Sequence, residues 1–179
     1  MIQRIRQLAT KTPPRKDRLD VNDVVRDIVS LVRAELLRHD VSLTEELSSP
    51  LPPVLGDRIQ LQQVMLNLVM NAIDAMVPVI NRPREIVIRS SQPDRDHVMI
   101  TVHDTGVGVA HDHLDRLFNA FFTTKPGGMG MGLSISRSIV AAHDGRLWAT
   151  PNEPHGAIFH LSLPRALAEV ETSRLVPEG

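Results

Sequence analysis

Residues 57–76 read DRIQLQQVMLNLVMNAIDAM. Asp57 is a capping residue ahead of an apolar series, and Val64, Met65, Leu68, Val69, Ala72 and Met76 recur at the spacing of one helix face. Pro78 ends the series. A stripe this wide must face a core. On another face Asn67, Asn71 and Asp74 fall at i, i+4 and i+7, so they align along the helix. Asparagine is a poor choice inside a helix, because its amide competes for backbone hydrogen bonds. Two on one line suit a site for Mg²⁺, since amide oxygens are hard neutral ligands where phosphates bring the charge. The helix by itself is equally compatible with a plain polar edge.

Outward from this helix the chain alternates between the two periods. Asp20, followed by Asp23, reads as an N-cap for a helix running to about Arg38 through Val24, Val25, Ile28, Leu31, Val32 and Leu36. Val41–Leu47 alternates as a strand, and 48–53 is a proline-rich turn. Glu85–Ser90 and His97–His103 read as strands. A short helix is expected over His111–Phe118, another over Met131–His143, and final strands over Arg146–Thr150 and Ala157–Leu163. Helices and strands mix without strict βαβ alternation, which predicts an α+β two-layer sandwich.

Composition limits the function classes. The chain has 179 residues, 42% of them hydrophobic but only 3% aromatic, so its core is aliphatic. Twenty basic and 21 acidic residues leave a net charge of −1, which argues against nucleic-acid or membrane-surface binding. With no cysteine there are no disulfides, thiolate sites or cysteine nucleophiles. No apolar run reaches the length of a membrane span and the N-terminus has no signal-peptide pattern, so a cytoplasmic location is expected. Eight histidines show no metal spacing, Ser134, Ser136 and Ser138 lack a nucleophile elbow, and the lone Trp148 reads as packing.

Two further segments carry glycines. In HDTGVGVA, residues 103–110, Asp104 ends an apolar strand, while Gly106 and Gly108 permit a sharp exit and close approach to a ligand. In TKPGGMGMGL, residues 124–133, the glycines precede a helix start. That is a natural anion site, with Lys125 just upstream. The segment fits neither a dinucleotide fingerprint nor a P-loop, and read alone it also permits a linker.

The order and spacing of QLQQVMLNLVMNAIDAM, DTGVG, LFNAFFTTK and GGMGMGLSISRSIVAAHDG resemble the catalytic, ATP-binding domain of sensor histidine kinases. The nitrogen-regulation and oxygen-sensing branch looks closest, and the resemblance covers roughly residues 20–164. It implies a Bergerat-type sandwich, a mixed sheet covered on one face by helices, and ATP and Mg²⁺ as cofactors. It makes Asn71 the Mg²⁺ ligand, with Asn67 beside the metal and phosphates, and Asp104 the acceptor for the adenine amino group. Phe118, Phe121 and Phe122 would anchor an ATP lid, and Gly128, Gly130 and Gly132 would let its backbone wrap the phosphates. The implied catalytic set is Asn67, Asn71 and Lys125. The implied nucleotide contacts add Asp74, Gly106, Gly108, Phe118, Thr124, Met131 and Leu133. Gly156–Ala157 is a thinner match to a late glycine motif. The lid, residues 119–130, is expected to be poorly ordered or differently placed without nucleotide.

Two departures from the family pattern sharpen this reading. No histidine upstream of the domain sits in a phosphoacceptor context; His39–Asp40 comes nearest. Residues 1–18 then read as the end of an acceptor hairpin helix plus linker, 19–164 as the catalytic domain and 165–179 as a flexible tail. The expected partners are ATP, the kinase's own acceptor hairpin and a response regulator, with the fragment itself a monomer. Second, hydrolysing relatives carry a glutamate where this chain has Asn67, which cannot take a proton at neutral pH. Kinase is thereby favoured over the alternatives, a hydrolytic ATPase or a non-catalytic nucleotide-binding module.

Overall fold

The computed structural model describes residues 15–122 and 132–168. In chain order these form β1 (Asp17–Leu19), α1 (Val21–Arg38), β2 (Ser42–Leu47), β3 (Val54–Gly56), α2 (Arg58–Met76), β4 (Glu85–Ser91) and β5 (His97–Asp104). There follow α3 (His111–Leu114), α4 (Gly132–Ala142), β6 (Arg146–Pro151) and β7 (Ala157–Pro164). Five strands build one mixed sheet in the order β2-β4-β5-β7-β6, in which only the β2–β4 pair is parallel. A second, two-stranded sheet pairs β1 with β3.

The two long helices start where their caps demand. The Asp20 side chain accepts from the Asn22 N–H, and that of Asp57 from the Gln60 N–H, each satisfying a donor the helix leaves unpaired. Their buried faces lie over one side of the sheet. There Ile86 and Ile88 of β4, Val98, Ile100 and Val102 of β5, and Phe159, Leu161 and Leu163 of β7 join Val64, Met65, Leu68 and Val69 of α2 in a single core. Alternation along β4, β5 and β7 is strict, buried against half-exposed or exposed, as expected of a sheet covered on one face. Among the described residues no helix is long and apolar enough to cross a membrane.

Three local features depart from expectation. The helix expected over 111–118 is four residues long, because none of its residues is buried and Ala110 provides no side-chain cap. Strands β1 and β3, in the expected linker and just after the proline-rich turn, are three residues each, too short for a period to be read. The chain beyond Pro164 remains tied down as far as Leu167: Arg165 bridges to Val54 and donates its N–H to the Asp96 carbonyl, Ala166 donates to that of Pro53, and the Leu167 carbonyl accepts Arg18 Nη1. Residues 169–179, the rest of the expected tail, lie outside the described residues.

The uncovered sheet face carries Trp148, stacked flat on the His160 imidazole at 4.9 Å between centroids. Burial lowers the pKa of His160. It also lowers that of His103, helped by the nearby positive charges of Arg89 and His160 and opposed by Glu46. Both rings therefore bind protons more weakly in the fold than in the unfolded chain. The stability they contribute is complete above the unfolded value of about 6.5 and is lost as pH falls below it. Trp148 is the single tryptophan, so its fluorescence reports the stack. Quenching with a midpoint below about 6.5, absent in His160→Gln, is the expected result; a midpoint at or above that value would contradict it.

Candidate functional site

Helix α2 presents Asn67 and Asn71 half-buried and Asp74 exposed, all outside its buried stripe. The Asn67 amide finds a partner across the helix interface, where its Nδ2 donates to Ser136 Oγ at 2.9 Å. Ser136 is 1% exposed. One turn earlier on α4, Gly132 lies so close that a Cβ there would come within 2.6 Å of Asn67 Oδ1. Helix α4 thus begins directly on Asn67, with Leu133 packed against the core edge.

At the end of β5, Asp104 is 2% exposed. Its Oδ1 accepts two backbone N–H groups, from Gly106 at 2.9 Å and Ala157 at 3.2 Å, and Oδ2 takes part in neither bond. Burial pushes its pKa up, against the opposing pull of those two donors. The Asp104 main-chain carbonyl accepts Asn152 Nδ2 at 2.8 Å, so the β6–β7 connection holds this residue from a second side. Gly108, at φ +75°, packs on the Gly156 carbonyl.

These two clusters meet at Ala75. Val107 donates its N–H to the Ala75 carbonyl at 3.0 Å, and a side chain on Gly106 would run into that same carbonyl. Arg82 clips the loop from above, its Nη2 donating to the Thr105 and Gly106 carbonyls. The DTGVG loop is therefore docked on α2 one turn beyond Asn71, which brings the buried carboxylate and the asparagine line into one corner. Ser136, Asn152 and Arg82 are absent from the sequence-derived set. A serine in a helix and an asparagine in a turn read as ordinary surface residues, and only their partners reveal a role.

The phenylalanine cluster divides. Phe118 is 8% exposed, edge-on to Phe159 at 6.4 Å, with the Arg137 guanidinium 5.2 Å above its ring. Phe122 is half-buried against His113 and Arg116. Phe121 is 72% exposed, at a φ of +67°, and among the described residues it is not packed as Phe118 is. Thr124, Lys125, Gly128, Gly130 and Met131, with most of the expected lid, lie outside the described residues.

Residues 56–167 match the family model for histidine kinase-, DNA gyrase B- and HSP90-like ATPases. Among curated proteins, the chain is 39% identical over 166 residues to the sensor protein FixL of Bradyrhizobium diazoefficiens, covering 93% of this chain and 32% of FixL. It is 36% identical over 165 residues to the sensor histidine kinase TmoS of Ectopseudomonas mendocina, covering 92% of this chain and 17% of TmoS. The chain thus spans less than two thirds of the curated relatives it matches. Among solved structures, full-length ShkA in complex with AMPPNP superposes with a TM-score of 0.77 at 29% identity, covering 92% of this chain and 34% of ShkA. The nucleotide-free catalytic domain of histidine kinase ThkA gives 0.74 at 28%, covering 84% of this chain and 98% of that domain.

Proposed function

Because the chain belongs to the family of histidine kinase-, DNA gyrase B- and HSP90-like ATPases, we propose that it is the ATP-binding catalytic domain of a sensor histidine kinase. It binds Mg-ATP and hands the γ-phosphoryl group to a histidine on a separate acceptor hairpin, from which a response regulator is served. A cytoplasmic location goes with that reading. The observation that carries it is the corner at Ala75, where a buried acceptor and a line of neutral amide oxygens are joined by the glycine loop.

The donor set fits the ligand. Asp104 offers a buried acceptor, matched to the adenine amino group, whereas guanine would present a carbonyl oxygen there and be rejected. Asn71, with Asn67 beside it, would hold the Mg²⁺. Among the described residues no cluster of three histidines or acidic side chains could hold a metal, so these amide oxygens act together with phosphate oxygens. When bound, Mg²⁺ neutralises charge on the transferring phosphoryl group. The N–H groups at the start of α4, at Gly132 and Leu133, would face phosphate oxygens, and Lys125 would add a cation. Asp74, exposed a turn beyond Asn71, would lie at the outer rim. Hydrolysis is disfavoured: Asn67 stands where a general base would be needed, and its amide is engaged by Ser136.

The test is a calorimetric titration with an ATP analogue, with and without Mg²⁺, followed by transfer to a separately made acceptor hairpin. Asn71→Ala is expected to cut the Mg²⁺-dependent affinity about tenfold, the effect of losing one charge-coupled contact. Equal affinity with and without Mg²⁺, together with no phosphoryl transfer, would refute the reading.

A further inference from the structure

Helix α4 has two buried residues, Ser136 and Val140, spaced one turn apart on a single face. Val140 enters the core, as an apolar residue should. Ser136 does not follow that logic, since a helix interface a turn away from a valine is filled most stably by another apolar side chain. Its hydroxyl accepts the Asn67 amide at 2.9 Å, and Gly132, one turn before, abuts the oxygen of the same amide. At the other end of α4, His143 is 2% exposed and its Nε2 accepts the Asp57 N–H at 3.0 Å, while its Nδ1 donates to the Ile139 carbonyl. Two polar bolts thus fix α4 along α2, one at the helix-capping aspartate and one beside Asn71.

We infer that Ser136 is a positioning residue for phosphoryl transfer, acting through Asn67. Holding Nδ2 on a buried hydroxyl settles which atom of the carboxamide turns toward the start of α4, and sets that start in register with Asn71. The principle is that of an outer residue orienting an inner ligand. Gly132 has its place in the same arrangement. Its φ lies outside the left-handed region, so no turn requires a glycine there; the Asn67 side chain leaves no room for a methyl group. The role assigned to Ser136 rests on the kinase reading above, whereas the contact among Gly132, Asn67 and Ser136 does not.

The experiment keeps the two apart. Ser136→Ala, Asn67→Ala and the double variant are assayed for transfer to the acceptor hairpin. Gly132→Ala is compared by urea unfolding in the original and Asn67→Ala backgrounds. Ser136→Ala is expected to lower kcat about tenfold while KM for ATP stays within about twofold, the loss expected when one buried hydrogen bond is broken. The double variant is expected to be no slower than Asn67→Ala alone, since the serine acts through the asparagine. Gly132→Ala should destabilise the original chain by about tenfold in its unfolding constant. In the Asn67→Ala background it should stabilise instead, because alanine is the better helix former once the obstruction is gone. An unchanged kcat in Ser136→Ala, multiplicative losses in the double variant, or equal disruption by Gly132→Ala in both backgrounds would each overturn the proposal. If the unaltered chain transfers no phosphoryl group, the kinase reading and the role of Ser136 fall together, and the unfolding pair alone decides whether Gly132 and Asn67 are in contact.

Discussion

Asp104→Ala is expected to weaken ATP binding about a hundredfold or more, while Asp104→Asn loses binding almost as far yet keeps the fold. The alanine variant removes an acceptor for the ligand and strands two buried backbone donors, those of Gly106 and Ala157. Each such loss is worth about 1–3 kcal/mol, and 1.4 kcal/mol is tenfold in affinity. Asparagine separates the two contributions. Its Oδ1 still accepts both N–H groups, so the loop stays in place, but an NH2 replaces Oδ2 and faces the adenine amino group donor to donor. Burial raises the Asp104 pKa, so at neutral pH the fold works against its ionised form. A neutral amide relieves that strain, and Asp104→Asn should melt no lower than the unaltered chain. Calorimetry with ATP and thermal unfolding on the same sample check both halves. Asparagine binding ATP as tightly as aspartate would remove Asp104 from the adenine site.

What the chain declared in advance depended on how many residues shared each signal. Helix α2 has eight buried positions and a capping aspartate, and α1 seven and another, so their periods stood clear of noise. Strands β4, β5 and β7 alternate over seven or eight residues and were equally plain. The three-residue strands β1 and β3 had no period to show; their pairing is decided by tertiary neighbours. The site divides along the same line. Asn67 and Asn71 stood out because asparagines are costly inside a helix, and Asp104 because it ended an apolar strand. Ser136 and Asn152 are unremarkable locally and gain meaning only from partners 69 and 48 residues away. Phe121 shows the converse: the resemblance grouped it with Phe118 and Phe122, whereas its positive φ sets it apart and it is 72% exposed.

Gly156 tests whether the corner is as closely built as its hydrogen bonds imply. Its φ of +101° is poorly tolerated by side-chain-bearing residues, and a methyl group would fall within the Asp104 carbonyl oxygen itself. That oxygen accepts Asn152 Nδ2, and the Gly156 carbonyl accepts the Asn152 N–H while packing under Gly108. The chain cannot retreat on one side without disturbing the other. Gly156→Ala combines backbone strain of about 1–3 kcal/mol with overpacking of about the same size, so a loss of about 3 kcal/mol or more is expected. For a domain of this length that is a fall in Tm of about 10 °C. Asn152→Ala, which removes one hydrogen bond and creates no overlap, should cost only about 1 kcal/mol. The alanine at 156 displaces the strand end that carries Asp104, so ATP affinity should fall together with Tm. In Asp104→Asn affinity falls alone, because there the backbone is untouched. A Gly156→Ala chain that melts within about 2 °C of the original, well inside the expected loss, and still binds ATP normally would mean that the β6–β7 connection yields freely. Asp104 would then owe its position to Gly106 and α2 rather than to the late glycine.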